Sequence, residues 1–253
     1  MKNKLKSIYR KYLRQKTKIK NFIFGDYNYK KFVIISRSRT GSTLLMALLN
    51  DHPNIICEGE LFKVLNGKSC KTIWKTFYGK KPKKIQQVGF KLFYYHPFDE
   101  DKQVWDFIKN EKDVTIIHLV RENMLRAFVS QKIGEKTKKW TENINRPHKL
   151  ELDSKKVSLD YDECLETFTK ISSYESQVRK DFRDFNFVEL SYEDLNKDKD
   201  NAIEPVFKAL GVPYKKVKTV MKKQNSEHLH DLIQNYNELL NKFKDTEWEY
   251  LFK

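Results

Sequence analysis

Cysteine is scarce in this chain. The 253 residues hold three, Cys57, Cys70 and Cys164, an odd number at scattered spacings. An odd set excludes a complete disulfide framework, and the absence of a CxxC pair removes the usual zinc spacing. Reduced thiols in a cytosolic protein are the plain reading. Also missing is any run of about 18 apolar residues, or an apolar centre near the N-terminus such as a secretory signal needs. A soluble, cytoplasmic protein is the expectation. No internal repeat or low-complexity linker interrupts the chain, which argues against an array or several loosely joined domains. Acid is short relative to base: 50 Lys and Arg face 34 Asp and Glu, a net charge of +16. Long-range attraction therefore favours an anionic partner, whether a phosphorylated cofactor, a charged glycan, nucleic acid or an anionic membrane. With 39% apolar residues there is material for one sizeable α/β core, while two full domains would be cramped.

What is present centres on Lys31 to Leu61, KKFVIISRSRTGSTLLMALLNDHPNIICEGEL. A β-branched run, Phe32 to Ile35, passes through a small, basic, hydroxyl-rich turn into an apolar helical pattern at Leu44, Leu45, Leu48 and Leu49. A helix start offers unpaired N–H groups and the positive end of its dipole, so Arg39, Thr40, Gly41, Ser42 and Thr43 form an anion loop. Pro53 ends the helix near Asn50 to His52. A nucleoside-triphosphatase loop would need a lysine after its second glycine, but Ser42 follows Gly41. Such enzymes also need a carboxylate to help hold magnesium, and the next strong strand, Val114 to Val120, runs into Arg121 instead. The reading is two separate anion-binding points on a parallel sheet, Arg39 with its loop and Arg121. A cofactor with phosphate groups at both ends of its ribose suits them.

The two segments together, RSRTGSTLL and HLVRENMLRAFVS, resemble the sulfotransferases that use 3′-phosphoadenosine 5′-phosphosulfate (PAPS), bacterial carbohydrate and glycolipid types with some likeness to tyrosylprotein sulfotransferases. FVELSYEDL and FKALGVP match landmarks later in that fold. The resemblance covers roughly Phe32 to Lys253. It implies an α/β fold with a P-loop-like central parallel sheet flanked by helices, in a domain over 31–253 behind a basic arm over 1–30. It implies PAPS as co-substrate with no metal, an acceptor hydroxyl on a glycan or glycolipid, and no nucleic-acid partner. Arg39 and the loop would hold the 5′-phosphosulfate, and Arg121 with Ser130 the 3′-phosphate. Ser130 comes nine residues after the arginine where many relatives have eight. Tyr192 matches a tyrosine that contacts cofactor in some members and is otherwise a packing residue.

Glu58 and Glu60 lie close behind the anion loop, where a carboxylate repels the cofactor unless it has a task. Removing a proton from the acceptor is such a task, and an ordinary helix-terminal carboxylate is the rival reading. The resemblance favours Glu60 as the base and leaves Glu58 at the surface. Lys91, in the strand run Gln87 to Tyr95, either reaches the site as an electrostatic helper or points to solvent. Cytosolic relatives place a histidine base two residues after such a lysine. Phe93 stands there in this chain, and His96, further on, is the fallback. His118 reads as a core residue, and Arg126 as a solvated charge. The segment from Leu61 to Gln87 reads as helix and loop at the acceptor entrance. Glu135 to Glu163 reads as a long polar loop in which Trp140 either stacks on a sugar or anchors a small core. Lys222 to Asn225 is a basic turn, followed by a helix from His228 to Phe243.

Residues 1–20 carry nine Lys and Arg and no acid. With apolar residues at helical spacing, they fit either an amphipathic helix on the inner face of an anionic membrane or a solvated arm, and the second is preferred. Two other function classes stay open: a P-loop kinase or nucleotide hydrolase, and a non-enzymatic basic module for nucleic acid or membrane.

Overall fold

The computed structural model describes residues 23–99, 103–143, 150–222 and 224–252. The basic arm up to residue 22, and Lys223 of the basic turn, lie outside the described residues.

The sheet is built from five parallel strands in the order β2-β3-β1-β4-β6. They are β1 (Lys30–Ser36), β2 (Ile55–Glu60), β3 (Gln87–Phe93), β4 (Val114–Val120) and β6 (Phe187–Ser191). Parallel sheets covered on both faces read as continuous apolar runs, and the central strands obey this: β3 and β4 are buried along their whole length. Side chains alternate across β1. Val33 and Ile35 face one layer with Phe90, Trp74, Val104 and Phe182, whereas Phe32 and Ile34 face the other with Leu45, Leu48 and Phe207. Fully burying a large apolar side chain is worth roughly 1.5–3 kcal/mol, so this period-two pattern fixes the register.

Helix α1 (Ser42–Asp51) follows β1, and α2 (Cys70–Phe77), α3 (Gln103–Asn110) and α4 (Met124–Thr137) follow β2, β3 and β4. A two-residue strand, β5 (Glu142–Asn143), leads through the short α5 (Leu152–Lys155) to the long α6 (Tyr161–Asp181). After β6 come α7 (Tyr192–Lys197), α8 (Lys199–Leu210), β7 (Met221–Lys222), α9 (Leu229–Leu232) and α10 (Tyr236–Phe243). Strand β7 pairs antiparallel with β5, away from the main sheet. Among the described residues no helix is long and apolar enough to cross a membrane.

Three sequence expectations change. Helix α2 packs Trp74 and Cys70 into the core, because its apolar residues recur on one face, while Lys63, ahead of it in the same segment, reaches the site. The expected long loop after residue 135 contains β5 and α5. The helix expected from His228 to Phe243 is two helices. Between them Val157 N–H donates to Leu232 O at 2.9 Å and Gln234 N–H to Val157 O at 2.9 Å, so the backbone there pairs with a distant segment.

Candidate active site

The anion loop leaves β1 at Ser36 and enters α1 through Gly41, which has φ 81° and caps the helix. Only glycine adopts this left-handed backbone freely, and space demands it too: a Cβ at Gly41 would lie 2.4 Å from Cδ2 of Tyr192. Arg39 is also left-handed, with φ 67°. Its carbonyl accepts from Nη1 of Arg121 at 2.7 Å. The guanidinium of Arg121 lies 4.5 Å over the Tyr192 ring, so β4, the loop and the start of α7 are tied together.

The guanidinium of Arg39 reaches α4. Its Nε and Nη2 donate to the Ser130 hydroxyl at 3.0 and 2.7 Å, and Nη2 also donates to Gln224 Oε1 at 3.0 Å. Nη1 donates to the Trp140 carbonyl. Asn225 donates to the Ser130 hydroxyl at 3.3 Å. Burial, with Arg121 beside it, pushes the Arg39 pKa down to about 10, and burial lowers that of Arg121 as well. These two cations and the helix start line a cleft of about 280 Å³ with Ser130, Tyr192 and Trp140. The lining carries three cations, Arg39, Arg121 and Lys199, against one carboxylate, Glu142, so the balance suits an anion.

A second cleft, of about 630 Å³, opens beside the first and shares Arg39, Ser42, Thr43 and Trp140 with it. Its floor is made by β2 and β3. The register between them shifts at Gly59, so Glu58 lies opposite Phe90 and Glu60 opposite Lys91. A bulge of this kind re-aims a side chain: it turns Glu60 to the Lys91 side and leaves Glu58 exposed. Oε1 of Glu60 lies 3.8 Å from Lys91 Nζ, and Oε2 lies 3.4 Å from Lys63 Nζ and 3.9 Å from His96 Nε2. Lys91 is buried and donates to the Thr43 hydroxyl at 3.4 Å, linking the carboxylate to the anion loop. Burial lowers the Lys91 pKa, an effect that Glu60 opposes. Phe93, Tyr95, Phe98 and Trp140 wall the cleft.

No family model matches the chain. It is 27% identical over 233 residues to nodulation protein H of Rhizobium tropici, across 84% of this chain and 88% of that protein. Nodulation protein H of Rhizobium meliloti (strain 1021) is 24% identical over 232 residues, across 82% and 89%. The solved sulfotransferase from Alicyclobacillus acidocaldarius aligns with a TM-score of 0.52 at 16% identity, covering 84% of this chain and 90% of that one. The chain has the sulfotransferase fold.

Within this sulfotransferase fold, the residues singled out from the sequence converge. Arg39, Gly41, Ser42, Thr43, Arg121, Ser130 and Tyr192 line the first cleft and Glu60 and Lys91 the second, whereas Thr40 is buried with its hydroxyl donating to Arg37 O at 2.9 Å and lines neither. Ser130 lines the same cleft as Arg121 and also accepts from Arg39, so one cleft holds both arginines. Helix α4 turns residue 130 toward the loop, which a count from Arg121 does not reveal. Trp140 is an anchor and a wall at once: its ring packs on Gly134, where a Cβ would come within 2.8 Å. Arg126 is no solvated charge, because Nη1 donates to Glu227 O at 3.1 Å and so holds the segment before α9. His118 is a satisfied core residue between Tyr94 and Glu189.

Sequence reasoning missed Arg37 and Lys63, and it named Gln224 only as part of the basic turn from Lys222 to Asn225. Arg37 is buried, donates to Gln131 Oε1 at 3.0 Å and leaves Nη1 without a hydrogen-bond partner among the described residues. Its signal was faint, a charge directly after a buried strand. Among the described residues no group of three or more His, Cys, Asp and Glu is placed to hold a metal ion.

Proposed function

We propose that this protein is a PAPS-dependent sulfotransferase acting on an acceptor hydroxyl, with a carbohydrate or glycolipid as the acceptor class. The observation that carries the reading is the meeting of two clefts at the start of α1. One holds two half-buried guanidiniums and a helix N-terminus; the other holds a carboxylate paired with a buried lysine. The residues of the first cleft fit the donor: Arg39, Arg121 and Ser130 supply donors for its phosphate groups, and Tyr192 offers a ring face. When bound, PAPS supplies the sulfuryl group, which passes to the acceptor oxygen while the bisphosphate leaves.

The chain's own residues do the rest. Glu60 takes the proton of the acceptor hydroxyl. Lys91, held between Glu60 and Thr43, places positive charge beside the anion loop, where the transferred group sits. Fixed donors facing developing charge are worth roughly 3–4 kcal/mol each in comparable oxyanion sites. The aromatic walls of the second cleft exclude water and favour a flat, partly apolar acceptor such as a sugar face. The likeness of the loop and the Arg121 segment to bacterial glycan sulfotransferases supports the choice of acceptor. Incubation with ³⁵S-labelled PAPS and fractions of glycans, lipids and peptides tests it. Label is expected in a glycan or glycolipid; label confined to peptides would overturn the acceptor class, and no transfer to any fraction would overturn the activity.

A further inference from the structure

His96 follows β3 and is completely buried. Three aromatic rings surround its imidazole: Phe93 with centroids 5.0 Å apart, Phe98 at 5.1 Å and Tyr95 at 5.5 Å. The backbone N–H of Phe93 donates to Nδ1 at 3.2 Å. An imidazole that accepts at Nδ1 carries its proton, when neutral, on Nε2. That nitrogen is buried, has no hydrogen-bond partner among the described residues and lies 3.9 Å from Oε2 of Glu60. An unmatched buried donor is costly, and here the polar group that faces it is the carboxylate assigned to acceptor deprotonation.

We propose that His96 is a positioning residue whose Nε2–H is held to donate to Oε2 of Glu60, fixing the carboxylate for the acceptor's proton. The inference rests on Glu60 being the base. The separation of 3.9 Å exceeds a hydrogen bond, and since the terminal torsion of glutamate is broad, the proposed contact calls for the carboxylate to turn. Two further cations face the same carboxylate, Lys63 at Oε2 and Lys91 at Oε1. His96 differs from them by being uncharged: desolvation pushes its pKa down to about 4, against the pull of Glu60, so it donates across the neutral range without adding charge to the cleft. The same tautomer removes His96 as a base. Nε2 already holds a proton, and the Nδ1 lone pair is taken by Phe93.

¹⁵N NMR of the imidazole-labelled protein reads the contact without turnover, with His96→Phe assigning the resonances. The His96 proton is expected on Nε2, and its signal should shift in Glu60→Ala, which removes the acceptor. ³⁵S transfer gives the second readout: His96→Phe, which suits the aromatic cage, should lower kcat about tenfold at unchanged KM for PAPS, the equivalent of one hydrogen bond. His96→Gln, whose amide nitrogen can stand in for Nε2, should restore most of that loss. Unchanged affinity for 3′-phosphoadenosine 5′-phosphate in both variants is the folding control. A His96 proton on Nδ1, an Nε2 signal indifferent to Glu60→Ala, or full kcat in a folded His96→Phe protein would overturn the proposal. Full transfer activity in Glu60→Gln would sink the base assignment, while the ¹⁵N spectra judge the His96 contact separately.

Discussion

Replacing Gly41 by alanine adds one methyl group, and the structure gives that methyl two separate costs. The first is backbone. At φ 81° an alanine takes a left-handed conformation, costing roughly 1–2 kcal/mol. The second is the collision with Tyr192, whose Cδ2 would lie 2.4 Å and Cε2 3.0 Å from the new carbon. The ring must move, and it is the ring on which Arg121 rests at 4.5 Å, a contact worth roughly 0.5–2 kcal/mol. Together these predict a loss of about 1.5–4 kcal/mol, a large share of the 5–15 kcal/mol typical of a domain. Urea unfolding of Gly41→Ala, Tyr192→Ala and the double variant separates the two. Without the ring, Gly41→Ala should cost only the backbone part, so the pair should show a coupling of about 1 kcal/mol or more. A Gly41→Ala protein within about 0.5 kcal/mol of the parent, or an equal cost in both backgrounds, would refute the reasoning.

Other perturbations probe the site and its surroundings. Glu60→Gln should keep affinity for 3′-phosphoadenosine 5′-phosphate and lose most transfer, by about 10²–10⁴-fold, as read by ³⁵S transfer; undiminished turnover would contradict the base assignment. Ser130→Ala removes the acceptor for two Arg39 donors and should weaken the same ligand by about tenfold, the equivalent of one hydrogen bond, measured by calorimetry. Glu175 is buried, and its pKa is raised from 4.5 to about 7 by desolvation, partly offset by Arg179. The folded protein therefore keeps a proton that the unfolded chain has released, and stability falls as pH rises from about 4.5 to 7. Glu175→Gln escapes that loss. It should gain up to about 3 kcal/mol on the parent between pH 4.5 and pH 8, and equal urea midpoints across that range would count against it.

Much of this arrangement was legible before any coordinates, and the reason differs from element to element. The run from Phe32 to Leu49 declares strand, turn and helix because a continuous, β-branched apolar run gives way within a dozen residues to apolar residues three or four apart, and Pro53 closes the helix. Arg121 stands out because it directly follows a strand run that is apolar except for Thr115 and His118. The pairing of Glu60 with Lys91 was not legible as geometry. It arises from a register shift between β2 and β3 at Gly59, and a glycine inside a strand hints at a bulge without saying which partner results. Contacts spanning about a hundred residues, such as Arg39 to Trp140 or Arg126 to Glu227, follow from how the chain returns over the sheet, and nothing local encodes them. The break in the last helical segment has the same origin: Ile233 forms a parallel bridge with Val157, so tertiary pairing overrides helical spacing.

Calorimetric titration of 3′-phosphoadenosine 5′-phosphate into the parent protein and into an Arg39→Ala, Arg121→Ala variant puts the donor cleft to the test. Each guanidinium contributes charged hydrogen bonds worth roughly 1.5–3 kcal/mol. Binding by the parent, weakened about 100-fold or more in the double variant, is the predicted result. No detectable binding by the parent, or equal affinity in both proteins, would contradict the account.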